Sequence, residues 1–78
     1  MDEAKAMKLA RYRVGESKSN GIEMTAEEID LRRQFIRTML WKVKPWNELK
    51  DEQLDDVRIF KSGTDWYIED QDYYEYPF

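Results

Sequence analysis

Apolar positions recur along this chain with two different spacings, helical and then strand-like. Ala4, Met7, Ala10 and Val14 fall along one helical stripe, so residues 3–14 read as a short first helix. Two alanines make that stripe weak, and Lys5, Lys8, Arg11 and Arg13 surround it. A helix this short is marginal alone and needs something to pack against. No apolar residue lies between Val14 and Ile22. Gly15 to Gly21, with two serines and an Asn-Gly pair, reads as a loop between helices and as the place where proteolysis would begin.

The strongest local signal follows. Thr25-Ala26-Glu27-Glu28 has the form of a capping box, with Met24 and Ile29 where a hydrophobic staple belongs. A long helix is expected over 26–43, stopped by Pro45. Ile29, Ile36, Leu40 and Val43 mark its apolar face, and Leu31, Phe35 and Met39 widen it. So wide a face calls for two neighbours, which makes this helix the spine of the core. Arg32 falls toward the apolar side, where it is expected to snorkel past the core edge or pair with Glu28. Trp46, beside Pro45, is expected to plug the end of the core.

Beyond the turn at 45–49, residues 48–56 read as a short acidic helix carrying Leu49 and Leu54. The spacing then changes. Val57, Ile59 and Phe60, and after them Trp66, Tyr67 and Ile68, flank Lys61-Ser62-Gly63-Thr64-Asp65. β-Branched and aromatic runs around a short glycine-containing link predict a β-hairpin. Val57, Ile59, Trp66 and Ile68 should share the face that packs on the long helix, because a lone hairpin is unstable in water. Continuing the acidic helix through 57–61 is the alternative. The tail, residues 70–78, is acidic and aromatic without a clear period. The expected fold is a small single α+β domain, mainly α: a long central helix, a shorter N-terminal helix, a short acidic helix and a C-terminal β-hairpin.

Composition narrows the chemistry. Among 78 residues there is no cysteine and no histidine. Disulfides, thiolate zinc sites and the commonest general base are therefore absent. Gly15, Gly21 and Gly63 fit no phosphate-binding spacing. Asp51-Glu52, Asp55-Asp56 and Glu27-Glu28 are sequence neighbours, not carboxylates facing across a cleft. No metal, cofactor or catalytic residue is expected, and the chain is not expected to be an enzyme. The absence of an apolar leader in the first eight residues, of a long apolar run and of cysteine points to a cytoplasmic protein that does not enter a membrane.

Charge divides along the chain. Residues 1–44 carry ten Lys/Arg against seven Asp/Glu; residues 45–78 carry three against ten. On a helical wheel Arg33, Arg37 and Trp41 line up at i, i+4 and i+8, with Lys44 close to the same line. Arg37 is one turn from Trp41 and could stack on its indole. Arg and Trp are enriched at binding hot spots. Tyr73, Tyr74, Tyr76 and Phe78, interleaved with Asp72 and Glu75, form a second candidate surface. For both surfaces a core role is the competing reading. The functional expectation is a non-catalytic module that binds another protein: a small accessory protein, adaptor or inhibitor. In composition it is like many small acidic accessory proteins, virus-encoded ones among them. The first alternative is nucleic-acid binding through Lys5, Lys8, Arg11, Arg13, Arg32, Arg33 and Arg37, against which stands a sequence pI of about 4.8. The second is a structural subunit of a larger assembly, and a chain this short of core would gain from a homodimer.

Overall fold

The computed structural model describes residues 2–78, the side chains of Ser17 and Lys18 apart. Four helices, α1 (Glu3–Ala10), α2 (Val14–Ser17), α3 (Ala26–Leu40) and α4 (Asp51–Leu54), precede strands β1 (Arg58–Ser62), β2 (Asp65–Glu69) and β3 (Glu75–Pro77). Single 3₁₀ turns lie at Lys18–Asn20 and Trp46–Glu48. The strands form one antiparallel sheet in the order β1-β2-β3. The fold is α+β with a long central helix, as expected.

The core lies between α3, α1 and one face of the sheet. Phe35, Ile36 and Leu40 of α3 meet Ala6 and Ala10 of α1, Leu54, Val57, and the cross-strand pair Ile59 and Ile68. Trp66 closes one side, its ring 6.4 Å from that of Phe35. Val57, Ile59, Trp66 and Ile68 do share the core side of the hairpin.

Helix α3 starts where the capping box places it. The Thr25 hydroxyl accepts from the Glu28 N–H at 3.1 Å, and a Glu28 carboxylate oxygen accepts from the Thr25 N–H at 3.1 Å. Its end comes at Leu40, before Val43. Asn47 explains the earlier stop: its Nδ2 donates to the Trp41 carbonyl and its backbone N–H to the Val43 carbonyl. Those carbonyls are satisfied without further helix.

Other boundaries also moved. The first helix ends at Ala10, and its buried stripe is Ala6, Leu9 and Ala10. Ala4 and Met7 lie beside that stripe. The expected loop after Val14 is instead wound into α2 and a 3₁₀ turn, with Ser19 Oγ and Asn20 Nδ2 donating to the Glu16 carbonyl. The acidic helix shrinks to Asp51–Leu54 because Leu49 and Lys50 are extended; Gln53 accepts from the Lys50 N–H at its start.

The hairpin link is tighter than its sequence suggested. Ser62 pairs with Asp65, leaving only Gly63 and Thr64 in the turn. Gly63 has a φ of 63°, as the first central position of a type II′ turn requires. The tail contributes a third strand that its sequence did not announce. Phe78 donates to the Trp66 carbonyl and Asp70 to that of Tyr74, so alternate residues of β3 face β2. Glu75 and Pro77 therefore turn their backbones to the open edge. Proline has no N–H to offer there, which blunts the edge against further strand pairing.

Candidate functional site

Arg32 is the residue whose place departs furthest from expectation. It neither snorkels nor pairs with Glu28; it is completely buried at the centre of α3. Its Nε donates to the carbonyls of Leu9 (3.3 Å) and Tyr12 (3.1 Å), and Nη1 to that of Leu54 (2.6 Å). Nη2 donates to the carbonyl of Val57. These carbonyls end α1 and α4 and lead into β1, where helix ends carry partial negative charge. Burial pushes the Arg32 pKa down to about 10, with Asp55 opposing that shift, so the group stays protonated at neutral pH.

A second buried cation, Arg13, ties the N-terminal segment to the sheet. Its Nη1 lies 2.8 Å from Glu69, its Nε donates to the Asp56 carbonyl at 2.6 Å, and its Nη2 donates to the Asp70 carbonyl. Glu69 is buried too and also accepts both prongs of Arg58, at 3.0 and 2.8 Å. The Arg58 hydrogen bonds hold its carboxyl below the usual range against the opposing effect of burial, with Arg13 adding to the fall.

The residues marked as a binding stripe on α3 separate in the structure. Arg33 makes a bidentate pair with Asp55, at 2.9 and 2.6 Å. Arg37 reaches Asp51 at 3.0 Å and the carbonyl of Leu49. Both guanidinium groups thus brace α3 against the α4 region. Trp41 caps the end of α3 and is 60% exposed. The cation over its ring is Lys42, at 4.7 Å, in place of Arg37. Lys44 is exposed and precedes Pro45 through a cis peptide bond.

The tail aromatics also divide. Phe78 packs on the core, and Tyr76 lies against Trp46 with ring centroids 5.4 Å apart. Partial burial, with Asp70 nearby, raises the Tyr76 pKa. Tyr73 and Tyr74 are 66% and 64% exposed. Tyr73 sits at φ 67°, its hydroxyl donating to Glu16 at 2.9 Å while Arg13 lies 4.1 Å over its ring. Tyr74 takes its place from Asp70: Asp70 Oδ1 accepts from the N–H groups of Asp72 and Tyr74, and the Asp70 N–H returns to the Tyr74 carbonyl. The Tyr73 N–H also donates to the Asp70 carbonyl, so both tyrosines project from a turn whose backbone is tied at four points.

A feature absent from the sequence reading is an apolar groove between α1 and β1, a cavity of about 320 Å³. Ala4, Met7, Phe60 and Trp66 form its walls, and Lys8, Arg11 and Lys61 stand around it. The signal for it was there in part: Ala4, Met7, Lys8 and Arg11 follow helical spacing on one side of α1. Among the described residues no three His, Cys, Asp or Glu side chains converge as a metal site, and no helix is long and apolar enough to cross a membrane. No protein-family model matches the chain, and no curated protein or solved structure matches it significantly.

Proposed function

We propose that this protein is a non-catalytic module that binds another protein, as an adaptor, assembly factor or inhibitor does. One observation carries the reading: three large aromatic side chains, Trp41, Tyr73 and Tyr74, are each at least 60% exposed on a domain with little core to spare. Exposed tryptophan and tyrosine beside charged neighbours are the residues from which binding hot spots are built. Lys42 and Lys44 follow Trp41; Asp72 and Glu75 flank the tyrosines. Arg33 and Arg37 frame the Trp41 end while engaged with Asp55 and Asp51.

The nucleic-acid alternative rests on fewer groups than the sequence offered. Of its seven basic residues, Lys5, Arg13, Arg32, Arg33 and Arg37 have partners within the chain. Lys8 and Arg11 remain, too few for a strong phosphate footprint.

The test is capture from source-cell lysate on tagged protein, with and without nuclease, comparing wild type with Trp41→Ala and Tyr74→Ala. Both variants should keep the wild-type circular dichroism spectrum. A partner protein that survives nuclease and is lost with either variant supports the reading. Capture that disappears with nuclease sinks it in favour of nucleic acid.

A further inference from the structure

The α1–β1 groove brings together three cations that the fold itself does not use. The other five described arginines are bound to carboxylates or backbone carbonyls, whereas the side chains of Arg11, Lys8 and Lys61 meet no acidic partner among the described residues. Between them lies an apolar cavity at the lower end of the ligand-pocket range of about 300–1,000 Å³. Its apolar walls, chiefly Met7 and Trp66, suit one aromatic side chain better than an extended ligand.

The tail offers the complement. Tyr74 is 64% exposed and stands between Asp72 and Glu75, on the turn that Asp70 holds in shape; Glu75 is half exposed and only loosely held, 3.9 Å from Arg58. Holding the loop in advance lowers the ordering cost of docking it. An aromatic knob with two carboxylates therefore matches an apolar socket with three cations, and every copy of the chain carries both.

We propose that the α1–β1 groove of one copy receives Tyr74 of a second copy, with Asp72 and Glu75 set against Lys8, Arg11 and Lys61. The net charge of −4 opposes association at long range. At physiological salt that repulsion is screened beyond about 8 Å, while contacts inside the groove persist. Reciprocal docking closes a dimer and one-way docking extends a chain; both are self-association. The inference does not depend on capture of a foreign protein, but the two share the tail, so self-association would hide Tyr74 from another partner.

Sedimentation equilibrium from about 10 μM to about 1 mM, the range in which weak contacts are populated, tests it. Wild type should self-associate. Tyr74→Ala and Lys61→Glu should each weaken the association at least about tenfold, as loss of a hot-spot contact does. Raising salt to about 1 M should weaken it as well. Charge exchange gives the decisive arm: Lys61→Glu and Asp72→Lys should each, alone, associate more weakly than wild type and should regain association when mixed. Circular dichroism checks that each variant is folded. A wild type that stays monomeric at about 1 mM overturns the proposal and leaves the groove to an acidic segment of some other protein. Association indifferent to Tyr74→Ala and Lys61→Glu overturns it equally.

Discussion

Arg32 donates to the carbonyl oxygen of Leu54 at 2.6 Å, across 22 residues of sequence and inside the core. The same guanidinium reaches Leu9, Tyr12 and Val57, so one side chain on α3 anchors the ends of α1 and α4 and the start of the sheet. Buried ion pairs can often be replaced by apolar residues at little cost, because both partners leave together. Here the acceptors are backbone carbonyls and remain behind.

Arg32→Met should therefore abolish cooperative folding. Each carbonyl left without a donor costs about 1–3 kcal/mol, and a domain of this size has roughly 5–10 kcal/mol in total. Arg32→Lys keeps the charge without the planar fork and should fold with a Tm lower by about 10 °C. Thermal melts followed by circular dichroism decide it; an Arg32→Met variant that melts like wild type would refute the account.

Acid should act through Glu69. Its carboxyl is held below the usual range by Arg58 and Arg13, so the folded state binds a proton less readily than the unfolded chain. The stabilisation is complete above the ordinary glutamate pKa of about 4.3 and is lost as pH falls through the lower folded value. Glu28 behaves in the same direction, through its hydrogen bond from the Thr25 N–H. Tm measured from pH 7 down to about pH 2 should hold level and then drop. In Glu69→Gln the acid drop should be smaller and the neutral Tm lower; an unchanged acid profile would remove Glu69 from the explanation.

Two glycines should respond oppositely to alanine. Gly63, at φ 63°, has open space around it, so Gly63→Ala meets only backbone strain of about 1–2 kcal/mol. Gly15 lies in α2 without a positive φ and also in open space. Gly15→Ala should stabilise by about 0.5–1 kcal/mol, mostly by restricting the unfolded chain. Urea titrations of both variants test the pair, and a shift of the same sign in both would contradict it.

Removing the α3 cap should cost about 1 kcal/mol, a Tm loss of about 4–8 °C. Thr25→Ala leaves the Glu28 N–H without its side-chain acceptor, on an exposed helix start where water can replace it. The far-ultraviolet spectrum should not change. Thr25→Ser should recover most of the loss, and a serine variant as weak as alanine would argue against the cap.

What could be foreseen follows the range of the interactions. Thr25 and Glu28 are three residues apart, so the start of α3 was legible as a local pattern. Gly63 between two β-branched and aromatic runs marked the hairpin for the same reason. Arg32 was not legible, because its acceptors lie 20 to 25 residues away and a charged residue is by default assigned to solvent. The third strand escaped because Glu75–Pro77 is only three residues long and gains its meaning from pairing with β2. The pairing of Arg33 and Arg37 escaped likewise, since the wheel shows which side chains align but not which carboxylates approach from α4.

Arg13 binds groups at residues 56, 69 and 70 from a position near the start of the chain. Releasing the N-terminal segment takes Arg13 away from the buried Glu69 and from the Asp56 and Asp70 carbonyls, while Arg58 keeps its bidentate hold on Glu69. Amide protons of α1 and of β2 should accordingly exchange at similar rates, as parts of one cooperative unit would despite short helices and a small core.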